Sequence, residues 1–204
     1  MGKNKIIDNK VKRHSFMTVL LHWLLALTVF GSFLTIDLKR SIGLTPHIIG
    51  GSIMGVVWVV HLIYYYKIRG GSAIFPRRGD LKASVQLIKA SFTGAKEPTN
   101  DKYLPEQRVA YLYILICVFL VALTGIFRAF AGAERHYALS FARIMGLLHA
   151  PAVGLLMIGV VVHLAALFLK ANRPLLISMF NGKVDLDYVR KRHEIWYAKL
   201  RGKE

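Results

Sequence analysis

His149 and His163 stand fourteen residues apart in a stretch of 26 residues, Ile144 to Leu169, that contains no Asp, Glu, Lys or Arg. At a rise of ~1.5 Å per residue the two rings lie about 21 Å apart along a helix axis. Fourteen steps of ~100° return to within about 40° of the start, so both rings leave the same face. A stretch this long and apolar crosses a bilayer as a helix, and an imidazole inside hydrocarbon needs a partner. One ring near each leaflet, both facing the same neighbouring helices, is the geometry for two haems stacked across a membrane, each taking one axial imidazole from this helix. The plainer alternative is a pair of histidines that each hydrogen-bond to a neighbouring helix.

Three further apolar blocks supply the neighbours. Phe16 to Ile36 is uncharged and holds His22, followed by Trp23. A second block, from about Pro46 to Tyr66, opens on His47 and carries His61 near its end. Pro46 suits the first turn of a helix, where its missing N–H is not needed. The third, Val109 to about Ala131, has no histidine, with Arg108 before it and Arg128 near its far end. The pattern predicts an all-α protein: an integral membrane four-helix bundle, residues 1–204 forming one domain, with spans at about 16–36, 46–66, 109–131 and 144–169 and a tail at 170–204.

Composition agrees. Of the 204 residues 54% are apolar, and the mean hydropathy is +0.43, in uncharged blocks rather than spread as in a soluble domain. The net charge of +17 would suit nucleic acid, but the basic residues lie between the spans, where topology explains them better. The single cysteine, Cys117, falls mid-span; it supports neither a disulfide framework nor a cysteine metal site and reads as a small apolar filler. No cleaved signal peptide is expected: the first apolar block runs 21 residues with no small-x-small site after it.

The connections carry less. In the longest, residues 67–107, Gly70, Gly71, Ser72 and Pro76 break structure and Asp80 can cap a helix. Leu81, Val85, Ile88 and Phe92 follow at helical spacing with Lys82 and Lys89 off the stripe, predicting a short amphipathic helix on the membrane surface; a mini-helix packed on a partner protein is the alternative. The tail is expected to end in one helix, residues 187–200, whose Val189, Trp196 and Leu200 graze the headgroups or a partner. His14, His136 and His193 are expected to be solvated or to face headgroups.

Charge orients the bundle. The N-terminal segment, the 67–108 connection and the tail hold 23 of the 28 Lys and Arg; the other two loops hold Lys39, Arg40, Arg128, Arg135 and Arg143. Positive residues mark the cytoplasmic side, so both termini are expected there. His47 and His149 then lie near the outer surface and can ligate an outer haem. His163 lies nearer the cytoplasm, with His22 or His61 as its partner. His47 and His61 are also fourteen apart, so spans 2 and 4 alone would suffice, and spacing does not choose between the two arrangements. Gly50, Gly51 and Gly55 follow His47, and Gly146 precedes His149 by a turn; missing side chains there leave room for a flat macrocycle, or for close helix packing.

Taken together these motifs resemble the di-haem cytochrome b membrane subunit of formate dehydrogenase, the gamma subunit, which groups with nickel–iron hydrogenase cytochromes b and bacterial cytochrome b561. The resemblance covers nearly the whole chain. It rests on His22–Trp23, on His47 to Gly50, and on Lys102, Tyr103 and Gln107 leading into span 3. It rests also on Leu123–Thr124–Gly125, on His149 with His163, and on Gly182–Lys183–Val184 followed by Trp196–Tyr197. It implies that His47 and His149 are axial ligands of the outer haem iron and His22 and His163 of the inner one. His61 is then supernumerary, a departure from the formate dehydrogenase pattern. It implies a menaquinone or ubiquinone site near Tyr103 and Gln107, although the family's Asn after the Tyr is here Leu104, followed by Pro105 and Glu106.

The function so implied is electron transfer across the inner (cytoplasmic) membrane, as one subunit of a respiratory complex of formate dehydrogenase or hydrogenase type. Its partners would be an extracytoplasmic iron–sulfur subunit, a catalytic subunit and quinone. The chain carries no active site of its own for a primary donor, and the sequence leaves the direction of flow open. Two other classes remain as alternatives. One is a free-standing cytochrome b561 that oxidises a small soluble donor, against which the long middle connection and tail argue. The other is a transporter whose histidines bind metal or relay protons.

Overall fold

The computed structural model describes residues 9–68, 73–95, 97–133 and 138–202. The expected break at Gly70, Gly71 and Ser72, and Lys96, Arg135 and His136, lie outside the described residues. In chain order come β1 (Lys10–Lys12), α1 (Phe16–Asp37), α2 (Lys39–Ile42) and α3 (Thr45–Ile63), which runs on as a π-helical turn, Tyr64–Ile68. Then follow α4 (Asp80–Thr93), α5 (Pro105–Ala133), α6 (Ala138–Phe168), a 3-10 turn (Lys170–Asn172) and α7 (Arg173–Asn181). β2 (Lys183–Asp185), α8 (Leu186–Arg192) and α9 (Glu194–Arg201) close the chain. Four helices are long and apolar enough to cross a membrane: Phe16–Asp37, Thr45–Ile68, Pro105–Phe130 and Phe141–Phe168. The protein is a multi-pass membrane protein of α-helical class.

The third span starts four residues earlier than its hydropathy suggests. Pro105 takes the first helical position, and Gln107 Oε1 accepts from the Leu104 N–H at 3.2 Å, closing the turn as half of a capping box. A polar lead-in of this kind is invisible to a hydropathy window.

Two compact units divide the chain. One comprises Leu20–Gly70 and Tyr113–Val161. Its core is Val29, Met54, Cys117, Val118, Val121, Ala122, Ala152 and Leu156, while apolar side chains such as Phe30, Leu34, Ile53, Val56 and Leu147 stay exposed, as lipid-facing residues must. Several of its polar groups are satisfied internally, as hydrocarbon requires, while the buried Ser32 hydroxyl has no hydrogen-bond partner. Thr28 and Thr35 donate to the Leu24 and Gly31 carbonyls of their own helix. Trp58 Nε1 donates to Leu115 O at 3.0 Å. Tyr113 Oη donates to Leu155 O at 2.8 Å, and its ring presses on Gly159, where an added Cβ would come within 2.6 Å of it.

The other unit comprises Met1–Val19, Gly71–Leu112 and Val162–Glu204. β1 pairs antiparallel with β2, Val11 opposite Val184, and the Arg13 and His14 N–H groups both reach Gly182 O. Gly182 is in the left-handed region (φ 71°), and an added Cβ would lie 2.8 Å from His14 O, so only glycine fits this turn.

The tail differs from its expectation in two ways. It forms two short helices, broken at His193 (φ −126°, ψ 54°), because the His193 ring turns inward to bond elsewhere. Val189, Trp196 and Leu200 do not graze the headgroups: they are buried with Val11 and Val184 in a core of their own. Likewise His14 (8% exposed) and His193 (0%) are not solvated. Both sit beside buried rings, Tyr103 for His14 and Trp196 for His193, in a core that the three-residue ribbon assembles.

Candidate functional site

Within the unit of residues 20–70 and 113–161, His47 in the first turn of α3 and His149 midway along α6 turn toward each other. Their ring centroids are 6.4 Å apart and their planes cross at 87°. That separation is close to what two imidazoles on opposite sides of one metal ion need, with bonds of roughly 2 Å on each side.

The hydrogen bonds fix which nitrogen of each ring is available. His47 Nδ1 lies 2.9 Å from the Ser32 carbonyl oxygen. A carbonyl only accepts, so Nδ1 carries the proton and Nε2 keeps its lone pair. His149 Nδ1 lies 3.0 Å from Thr124 Oγ1. Thr124 has a single hydroxyl proton and donates it to Leu120 O at 2.6 Å. Its oxygen therefore accepts from His149 Nδ1, and His149 too keeps a lone pair on Nε2. Both rings are in the tautomer that a metal ligand adopts when its other nitrogen is held from outside.

The space around His149 is equally specific. A Cβ on Gly125 would come 3.1 Å from His149 Cε1, so the glycine after Thr124 lets the ring approach α5. Thr124 and Gly125 belong to the Leu-Thr-Gly motif, and their two tasks, holding Nδ1 and clearing the ring, give that motif its physical content. The other glycines divide. A Cβ on Gly55 would meet Ala122 and Ile126, one on Gly50 would come 3.3 Å from the buried Ser32 hydroxyl, and one on Gly51 would face open space. A Cβ on Gly146 would come 3.6 Å from the Arg128 guanidinium, so that positive charge passes close to the backbone a turn before His149. Pro151, two residues after His149, donates no N–H to the preceding turn of α6.

The remaining span histidines are on different elements. His22 sits edge-on to Trp23 in α1, with centroids 5.6 Å apart. His61 is buried near the end of α3 and stacks at 4.5 Å on Tyr65, in the π-helical turn, a local form that recurs at functional sites. His163 lies near the end of α6, in the other unit.

That unit also contains Tyr103 and Gln107, the residues expected near a quinone. Gln107 Oε1 is engaged twice, by the Leu104 N–H and by Arg13 Nη2 at 3.1 Å. Tyr103 is buried, with Arg13 over its ring at 5.5 Å. Leu104 is fully enclosed with Leu87 and Leu175. Around them lies a buried polar cluster that sequence reasoning missed. Burial draws Arg13 down from its ordinary value, though from a starting point high enough to leave it charged. His193 Nδ1 donates to Asp101 O at 2.6 Å, and its Nε2 faces Arg13 Nη1 at 3.4 Å. Burial first, then the Arg13 charge, pushes the His193 imidazole down to about 4, so it is neutral. The side-chain N and O of Asn100 and Glu106 Oε2 are buried with no hydrogen-bond partner. Among the described residues no group of three or more His, Cys, Asp or Glu could hold a bare metal ion.

The family model for prokaryotic cytochrome b561 matches residues 13–182, a range that takes in His22, His47, His61, His149 and His163 and stops just before β2. No curated protein matches the chain.

Proposed function

The chain belongs to the prokaryotic cytochrome b561 family, whose members are b-type haem proteins of membrane electron transport, and on that premise we propose a specific role for it. It is the membrane electron-transfer subunit of a respiratory complex, of the formate dehydrogenase gamma type, holding two b-type haems. It passes electrons between an extracytoplasmic iron–sulfur partner and a membrane quinone, with both termini on the cytoplasmic side of the inner membrane.

The observation that carries this reading is the pair of Nε2 lone pairs on His47 and His149, each enforced by a hydrogen bond at Nδ1. A haem held between two imidazoles supplies one-electron transfer at a potential set by its ligands and surroundings. The Ser32 carbonyl and Thr124 keep the rings oriented and raise their basicity. His22 and His163 are the proposed ligands of the second haem, on the resemblance in motif and on their depth. His61, already stacked on Tyr65, is proposed as a non-ligand. Support for a quinone near the start of α5 comes from the unpartnered polar atoms of Asn100 and Glu106. Gln107, whose Oε1 is held by Arg13 and the Leu104 N–H, would act there through its Nε2 donors or by positioning.

A reduced-minus-oxidised visible spectrum of the purified protein tests the reading. Two bis-histidine b-type haems per chain support it, and a preparation that takes up no haem overturns it. Co-purification with an iron–sulfur subunit separates the complex-bound role from a free-standing cytochrome b561. Reporter fusions at Lys39 and Gly132 are expected outside the cytoplasm, and those at Lys96 and the C-terminus inside it.

A further inference from the structure

The amphipathic helix α4 wears its apolar stripe outward. Leu81, Val85, Ile88 and Phe92 are 72%, 67%, 47% and 75% exposed. The opposite face is buried: Asp80, Ser84, Leu87 and Ala90 turn inward, and Leu87 packs with Leu104 and Leu175. A soluble helix would be the other way round. Two residues of α7, Ile177 and Phe180, a turn apart, are also exposed, at 59% and 63%.

The start of α4 is clamped to the start of the third membrane-capable helix. Its first residue, Asp80, takes two hydrogen bonds from the Arg108 guanidinium, Nε to Oδ2 at 2.7 Å and Nη2 to Oδ1 at 2.6 Å. Arg108 stands in the first turn of α5, the third span. The helix therefore begins level with the point at which that span leaves the hydrocarbon. Its exposed charges have one sign. Lys82 and Lys89 flank the stripe, Arg78 precedes it, and Asp80, the only acidic residue from 73 to 95, is committed to Arg108.

We propose that α4 lies in the headgroup layer of the same bilayer that the spans cross, with Leu81, Val85, Ile88 and Phe92 in the acyl boundary and Arg78, Lys82 and Lys89 on anionic lipid phosphates. The stripe is apolar and exposed, and its basic edge complements anionic headgroups, as an interfacial helix requires. Lipid is favoured over a partner protein because the helix is clamped to a span at its boundary and carries no exposed acidic residue.

The experiment uses the full chain in nanodiscs of phosphatidylglycerol and phosphatidylcholine, in a Cys117→Ser background. Nitroxide labels are attached at Val85→Cys, Phe92→Cys and, on the polar flank, Gln86→Cys. Collision with oxygen is compared with collision with a water-soluble nickel chelate. The expected result is an oxygen-to-nickel ratio several-fold higher at 85 and 92 than at 86. Lys82→Glu with Lys89→Glu should lower the ratio at 85, and should do so only where phosphatidylglycerol is present. Equal ratios at the three sites would overturn the proposal and leave the face to a protein partner. Insensitivity to the charge reversal would overturn its anionic-lipid part. Haem content does not enter the readout, so the result is independent of the electron-transfer reading.

Discussion

Thr124 sets the protonation pattern of His149. With its single proton given to Leu120 O at 2.6 Å, the hydroxyl oxygen 3.0 Å from His149 Nδ1 can only accept. Thr124→Val removes that acceptor while preserving shape, and the imidazole loses its fixed tautomer. Loss of a partner of this kind weakens a metal site by about 10- to 100-fold. Haem per protein by pyridine haemochrome should fall for one of two haems, and the midpoint potential of any residual component should move. Thr124→Ser should retain both. Equal loss in the two variants would mean that the side chain matters only for packing.

His47 and His149, whose rings lie 6.4 Å apart, are the proposed ligands of one haem, so removal of either should have the same spectral consequence. His47→Ala and His149→Ala are each expected to lose one b-type component and to leave the other. Two intact bis-histidine components in either variant would break the pairing.

His22→Ala is expected to lose the second component and His61→Ala to keep both. The opposite outcome would put both haems on α3 and α6 and release α1 from any ligand role.

His193 ties tail stability to pH. Its folded value of about 4 lies below the ordinary ~6.5, so the unfolded tail binds the proton first. The stabilisation is present above pH ~6.5 and is lost as pH falls toward 4, amounting to about 3 kcal/mol across the window. Hydrogen exchange in residues 186–201, corrected for intrinsic rates, should quicken over that range, and His193→Gln should flatten the response. Protection that stays constant between pH 7 and 4.5 in the unaltered protein would contradict this.

Asp80→Asn leaves the Arg108 guanidinium buried without its counter-charge, a change that costs about 3–5 kcal/mol when both partners are enclosed, as both are here. The Arg108 hydrogen bond holds the Asp80 carboxyl below the usual carboxylate range. Its contribution is therefore full at neutral pH and lost only as acid passes below that range. Limited proteolysis of the 69–104 segment should be faster in the variant, and unchanged rates would show that the pair does not hold α4.

The spans were legible because lipid imposes long uncharged blocks that no local interaction overrides. The depth of His47 and His149 was legible for the same reason: span ends and a fixed rise place them. The partners of their rings were not. Ser32 acts through its carbonyl, an atom that every residue has, and Thr124 was visible only as part of a motif without a stated task. The tail was misread because its apolar positions look alike whether they face lipid or a core. What decides is the pairing of Lys10–Lys12 with Lys183–Asp185, two runs too short to show a period.

That ribbon also orders events in time. Arg13 and His193 stand 180 residues apart, and synthesis runs from one to the other. Val11 must wait for Val184, and Arg13 for His193, while every span is made, and the ribbon closes only after Asp185 has been added. A chain that stalls before that residue leaves the Val11 side chain without the strand that faces it. The core of Val11, Val184, Val189, Trp196 and Leu200 is therefore completed only after all four spans have been made.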